Sequence, residues 1–317
     1  MTTRSSSNRG RSHSRSTTSP PPVDLEKEWE PSESTEASLS KLVEAGVLPA
    51  KELVGWQPPT GESFPSPNTG EVVVFEDYFI RGFGLPAIPF FRDFLVLMGL
   101  SLCNLPPNTI LHFSTFICLC ECWLGIEPHF NLFRHFFRLN RRGGSGSRIV
   151  GSVYLKLRDD RQAEYISMPL ASNIPGWQKR WFYIQEQDAA MPLSASTSHL
   201  PMQSPEWALE PVGDGDLAEI AELKKLMAES GVEGPHVAKL FMERRCQPLK
   251  NRSHSGYEYA GLEDPTREVR PHLPTVDLER RLAKLFEMSK LRSAHPARAP
   301  FSKEYPRPEV CTTCFPV

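Results

Sequence analysis

The sequence predicts an α+β protein, with a Phe-rich helical core and a small antiparallel sheet, followed by a separate helical segment. Three observations carry this reading. Thirteen of the 18 phenylalanines fall between Phe64 and Phe137, which concentrates apolar burial in one part of the chain. Helix-period segments there alternate with short β-branched or alternating runs. Proline reaches 30 of 317 residues, well above the usual share of about 5%, so long stretches lack regular structure and a single compact domain over the whole length is excluded.

The elements follow in chain order. Residues 1–37 read as a disordered tail, because Met1 to Pro22 is Ser, Thr, Arg and Pro with nothing to bury. The tail is Arg-rich and acid-poor, like an organellar transit peptide, but it has no apolar face of the kind such peptides use. A helix is expected at about 35–46, where Leu39, Leu42 and Val43 share helical spacing and Gly46 suits a left-handed cap. Residues 57–70 hold four prolines and two glycines and read as a loop. Glu71 to Phe75 reads as a strand. A helix from Pro89 to Leu100 presents Phe90 or Phe91, with Phe94, Leu95 and Met98. The next follows Pro106-Pro107, with Asn108 or Thr109 as cap, and runs towards Leu124. Residues 109–124 are too short and too polar, with His112 and Glu121 inside, to span a membrane. A third helix is expected over about 128–139. Ile149–Leu157 and Gln162–Met168 read as two strands around a polar turn, and Trp181–Ile184 as a further strand. Residues 186–213 are an acidic linker. Helical patterns return at about 215–229, 235–245 and 276–292, and residues 293–317 form a Pro-rich tail. The expected divisions are therefore 1–37, 38–185, 186–213, 214–292 and 293–317. Phe94, Phe113, Phe116, Trp123, Phe133 and Trp181 are the expected core.

Charge is informative only by block. The formal total is -2, which excludes a globally basic nucleic-acid packager. Beneath it, residues 1–23 carry +4, 24–71 carry -7, 72–184 carry +4, 185–235 carry -8 and 236–317 carry +5. Seven cysteines and the lack of a secretory apolar run point to reduced thiols and an intracellular setting, nucleus or cytoplasm.

Familiar chemistry is hard to place. Cys118, Cys120 and Cys122 sit at i, i+2 and i+4, which on a helix cannot converge on one tetrahedral metal, so they read as core thiols. Cys311 and Cys314 have half-site spacing for zinc and no second pair nearby. Gly82-Phe-Gly84 and Gly213-Asp-Gly215 are loose dinucleotide patterns; the second would set Asp214 and Asp216 against a phosphate, and both read as structural glycines. No phosphate-loop, nucleophile-elbow or zinc-protease motif occurs. No catalytic residue, metal site or cofactor is expected.

The more suggestive feature is basic. Arg134, Arg138, Arg141, Arg142 and Arg148 follow one another with no acid from Pro128 to Ser147. Read as one helix, 128–139 stacks Arg134 and Arg138 on one face leading into a Gly/Ser loop. Arginine's planar fork suits phosphate, so these residues, with the Arg4 to Arg15 arm, are the candidate contacts to DNA or RNA. A solvated face is the alternative reading.

Several of these stretches together resemble a family. Val74-Phe75, Phe79, Gly82, Gly84-Leu85-Pro86, Phe90, Leu105-Pro-Pro-Asn108, Phe116, Cys120-Glu121, Gly125-Ile-Glu-Pro128 and Leu132-Phe133 resemble the plant gypsy-type transposase domain. Trp177-Gln-Lys-Arg-Trp181-Phe182-Tyr183 is similar to its closing motif. Arg245 to Arg252, Tyr257, Tyr259 and Asp264 to Arg267 resemble the segment that often follows it, so the likeness spans about 38–270. The resemblance implies a gag-like or accessory product of gypsy-type retrotransposons, shortened relative to longer members with coiled coils, and it brings no catalytic triad that maps onto this chain. Together with the missing catalytic motifs, the resemblance leads to the expectation of a non-enzymatic, element-derived protein that associates with itself and binds nucleic acid weakly and without sequence preference, with no membrane partner. A metal-dependent DNA transposase or nuclease, and a host DNA-associated regulatory factor recruited from an element, are the alternatives.

Overall fold

A computed structural model describes residues 24–85, 87–120, 128–142, 148–171, 174–186, 193, 197–198, 200–211, 213–230, 232–241, 280 and 282–283. The expected contributions of Arg4 to Arg15, Cys122, Trp123, Cys311 and Cys314 lie outside them, as do residues 1–23, most of 276–292 and all of 293–317.

The first elements among the described residues are α1 (Leu25–Glu28) and α2 (Glu36–Glu44). Thr35 caps α2: its hydroxyl accepts from the Ser38 N–H at 3.1 Å, and the Ser38 hydroxyl accepts from the Thr35 N–H at 3.0 Å. Gly46 lies just past its end with φ 71°, a conformation that glycine adopts without strain. Residues 24–37, read from composition as part of the tail, hold Trp29 in the core. Its ring stacks on Phe75 at 5.9 Å and meets Trp181 edge-on. After α3 (Lys51–Val54) and a loop comes β1 (Glu71–Phe75), every residue of which is buried.

Next come α4 (Glu76–Ile80), α5 (Pro89–Met98), α6 (Pro107–Cys118) and α7 (Phe130–Phe136). Helix α5 ends at Gly99 in the left-handed region. Helix α6 starts at Pro107 with Pro106 in the cap position, two or three residues earlier than expected, and neither polar candidate caps it. Asn108 donates to the Ala171 carbonyl at 3.0 Å, and the Thr109 hydroxyl accepts from the Leu155 N–H at 3.1 Å. The rings of α5, α6 and α7 interlock: Phe94 meets Phe113 at 4.8 Å, and Phe133 meets Phe113 and Phe116 at 4.9 Å. Such ring pairs add about 0.5–1.5 kcal/mol each beyond their buried area. Of the expected core, Phe94, Phe113, Phe116, Phe133 and Trp181 are buried as read. Cys103, Cys118 and Cys120 are buried thiols.

The third helix is shorter than its Phe spacing predicts. It stops at Phe136, and β2 (Phe137–Arg141) begins at once, with Phe137 extended at φ -115° and ψ 149°. The run Phe-Arg-Leu-Asn-Arg alternates apolar and polar, and the period of two prevails because β3 (Val153–Leu157) lies antiparallel beside it. Residues 162–168 form no strand with β3, in contrast to the expected pairing. Arg158, at the end of β3, is buried and donates to the carbonyls of Arg134, Ala208 and Leu209 at 3.0–3.1 Å. That anchor turns the chain away through a 3-10 turn at Asp159–Arg161. Tyr165 then packs on Phe136 and Phe137 instead of extending the ladder.

Finally β4 (Trp181–Gln185) returns to pair antiparallel with β1, setting Phe75 opposite Trp181 and Val73 opposite Tyr183. The two ribbons, β1–β4 and β2–β3, are separate sheets. A buried charge cluster closes the first. Asp77 accepts from Arg81 at 2.9 Å and from Arg180 at 2.6 and 2.8 Å. Burial holds the Arg81 guanidinium below its ordinary value even with Asp77 beside it. Within 200–211, Trp207 is buried and donates to the Met98 carbonyl at 2.9 Å.

Two further elements among the described residues are α8 (Asp214–Ser230) and α9 (Gly234–Phe241). Ile220, Leu223 and Met227 of α8 are buried, whereas Leu217 is 46% exposed. Helix α9 packs on α6, where the Cys118 thiol reaches the Val237 carbonyl at 3.7 Å. Helix α8 packs on α7, and Lys224 reaches Glu164 at 2.8 Å. Among the described residues no helix is long and apolar enough to cross a membrane.

Candidate nucleic-acid interface

The five arginines singled out in the sequence do not share a helix face. Arg134 lies on α7 with its guanidinium over the Phe130 ring at 5.6 Å. Arg138 and Arg141 are on β2, and Arg142 follows directly, its N–H donating to the Ser152 carbonyl at 2.8 Å. Arg148 lies across the intervening loop, 3.2 Å from Glu30. The stacking of Arg134 over Arg138 is therefore replaced by a ribbon arrangement, for the reason that ends α7 at Phe136.

Strand alternation sorts the ribbon. Phe137 and Leu139 of β2, with Val153 and Leu155 of β3, are buried and face the core. Arg138 and Asn140 then face outward, opposite Lys156 and Tyr154 respectively. Arg142 continues that outward row. Arg141 pairs with Val153 and falls on the other face, half-buried. The structure thus brings Arg138 and Arg142 together with Lys156, Tyr154 and Asn140, three residues that the basic run in the sequence did not point to. It sets Arg141 on the opposite face and Arg134 and Arg148 at the flanks.

The electrostatics of this face are uneven. Asp159 lies at one end, 2.9 Å from Lys156 and 3.5 Å from Arg138. The Lys156 hydrogen bond holds the Asp159 carboxyl below the usual carboxylate range. At the other end, neither the Arg141 nor the Arg142 side chain makes a hydrogen bond or ion pair among the described residues. Behind the ribbon one ionisable cluster is engaged. His135 and Glu164 are 3.1 Å apart, and Glu164 also takes Lys224. Burial lowers the His135 pKa, against the opposing hydrogen bond from Glu164.

The two glycine patterns behave as structural elements. Gly82 adopts φ 89° and, with Phe83 and Gly84, borders a small apolar crevice against Phe91, Phe113 and Ile117. Gly213 and Gly215 stand at the start of α8, where residues 214–216 are already helical and follow no strand. Among the described residues no group of three or more His, Cys, Asp or Glu side chains is placed to hold a metal ion.

Residues 72–141 match a family model described as "Putative gypsy type transposon". The chain therefore carries a gypsy-type transposon-related domain. The matched stretch runs from β1 through α7 and ends with the last residue of β2. The strands that pair with β1 and β2 lie beyond it, as does the Trp177 to Tyr183 motif. No curated protein and no solved structure gives a significant match to the chain.

Proposed function

We propose that this chain is an intracellular, transposon-derived binding protein without catalytic activity, which contacts nucleic acid through the basic residues of the β2–β3 ribbon and associates with itself. The observation that carries the reading is the row on and beside β2. Arg138 and Arg142 share the outward side, and Arg142 has no acidic partner among the described residues; Arg141, also without one, ends the strand half-buried on the other side. Cations without partners on a rigid strand suit phosphate contact, because no ion pair has to be broken first. Among the described residues no base-reading helix accompanies them, so binding is expected to be weak and independent of sequence. Self-association is supported by α5, which leaves Val96 71% and Leu97 51% exposed.

A salt-titrated binding assay of the full chain against DNA and RNA tests this reading, with light scattering on the same sample to report its mass. Binding should fall steeply with salt. Changing Arg138, Arg141 and Arg142 together to Gln should flatten the log–log slope by about two to three, near 0.9 per lost duplex contact. An unchanged slope would leave these arginines as a solvated surface, and metal-dependent cleavage of the DNA would replace the reading with the nuclease alternative.

A further inference from the structure

We propose that the outward face of the β2–β3 ribbon is a site for single-stranded nucleic acid, in which the Tyr154 ring stacks on a base while Arg142, Arg138 and Lys156 contact phosphates. The inference rests on the reading above and narrows it from nucleic acid in general to unpaired strands.

Tyr154 is the observation that points to an unpaired base. Three of the four described tyrosines are buried. Tyr78 donates to the Leu105 carbonyl, Tyr165 packs on Phe136, and Tyr183 lies against Trp181 and hydrogen-bonds Glu62. Tyr154 alone of the four is half-buried, on the outward row of the ribbon. Its neighbours along β3, Val153 and Leu155, are 0% and 5% exposed, so its own direction is set by alternation. Its ring and hydroxyl meet no aromatic, hydrogen-bond or charged partner among the described residues. The residues that share its face, Arg138, Asn140 and Lys156, are polar or basic.

Register places the cations around the ring. Asn140 is directly opposite Tyr154, with Arg138 two residues before it and Arg142 two after it. Both arginines are thus diagonal neighbours, at about 7–8 Å between backbones and within reach of long side chains. Lys156 stands two residues along the same strand. An aromatic ring set among cations on a sheet is a stacking platform with an electrostatic track. Asn140 adds a side-chain amide that can hydrogen-bond a base edge.

The geometry favours a single strand over a duplex. Bases in a duplex hide their faces in the stack, so an isolated outward ring finds only edges or backbone there. A two-stranded ribbon can enter a major groove, and that is the competing mode. In that mode phosphate contact would remain and the ring would contribute little. Tyr154 therefore separates the two modes.

The test uses the full chain and fluorescence anisotropy at low salt. The probes are oligo-dT, oligo-rU and a mixed-sequence DNA duplex of equal length. The single strands should bind more tightly than the duplex. Tyr154→Ala should weaken single-strand binding about tenfold or more, within the range for loss of one base–aromatic stack, and leave duplex binding unchanged. Tyr154→Phe should retain the affinity, since it keeps the ring. Tyr154→Leu, which keeps bulk without a π face, should behave like Ala and guards against a folding defect. Comparing oligo-dT with oligo-rU shows whether the strand is DNA or RNA. Equal binding of strand and duplex, with Tyr154→Ala altering neither, overturns this inference and leaves the proposed function standing. Absence of binding to every probe at low salt overturns the proposed function itself.

Discussion

The two β-ribbons of this protein are built to the same plan and serve opposite purposes. Each is a pair of five-residue antiparallel strands. In β1–β4 both faces are covered: every residue of β1 and four of the five in β4 are buried, with Trp29 from the N-terminal segment over Phe75. In β2–β3 only one face is covered, and the other carries Arg138, Asn140, Tyr154 and Lys156. The first ribbon joins distant parts of the chain and holds the fold together. The second spans a local connection and leaves a row of polar and aromatic groups half-buried on its outward face. A strand pair that the core does not need on both sides is where a binding surface can be altered at little structural cost.

The largest expected effect breaks the first ribbon. Trp181 is fully buried, and its indole N–H donates to the Glu30 carbonyl at 2.8 Å. Trp181→Ala removes a large ring from a packed site and leaves that carbonyl without its donor. It should cost about 3–5 kcal/mol in a urea denaturation experiment. Arg142→Gln on the second ribbon should stay within about 0.5 kcal/mol. If the two variants lose stability equally, the division of labour between the ribbons is wrong.

A smaller effect depends on pH and arises where the second ribbon meets the core. His112 of α6 lies 5.0 Å from the Phe137 ring, and its Nδ1 has no hydrogen-bond partner among the described residues. Burial lowers its pKa to about 4 from the ordinary 6.5. The folded state therefore keeps it neutral while the unfolded chain takes up a proton. Its contribution is fully present above pH 6.5 and is lost as pH falls towards 4. Stability should drop by about 2 kcal/mol between pH 7 and pH 5 from this residue, following the linkage of about 1.4 kcal/mol per unit. His112→Leu should flatten that slope, leaving the part due to His135, whose pKa burial also lowers. An unaltered slope would mean that His112 is not sealed under β2.

Much of this contrast was legible in the sequence, in places for simple reasons. Strand β1 is a β-branched run, and α5 and α6 show helical spacing bounded by Pro89, Gly99 and Pro107, so local pattern and tertiary demand agree. Strand β2 was hidden because Phe130, Phe133, Phe136 and Phe137 continue a helical spacing into it. Only pairing with β3 decides the period there, and pairing is not local. The consequence reached the candidate site: a helical register put Arg138 over Arg134 and gave no reason to name Tyr154 or Lys156. The expected alternation over 149–157 already placed those two on its polar side, and the missing information was the partner strand. Trp29 was misleading for a different reason. It is a lone aromatic in an acidic, proline-flanked stretch, and only the indole and phenyl rings across the fold make it core.

The smallest expected effect sharpens the comparison on the second ribbon alone. Asp159 is exposed, and it draws Lys156 and Arg138 to one end of the outward face. A phosphate arriving there must displace the carboxylate, which subtracts two of the cations otherwise available to it. Asp159→Asn keeps the side-chain shape and removes the charge. Binding to single strands at low salt should tighten about threefold. The salt slope should steepen by about 0.7 for each cation that then reaches a phosphate. Because Asp159 is solvent-exposed and its pairs are surface pairs, the fold should be undisturbed, which circular dichroism checks. If affinity instead falls, Asp159 is holding Arg138 and Lys156 in the productive geometry by charge, and the phosphates are contacted through the pair rather than in competition with it. If neither affinity nor slope moves, contact is confined to the Arg142 end of the ribbon, where Tyr154 would still stack and Arg138 and Lys156 would face water.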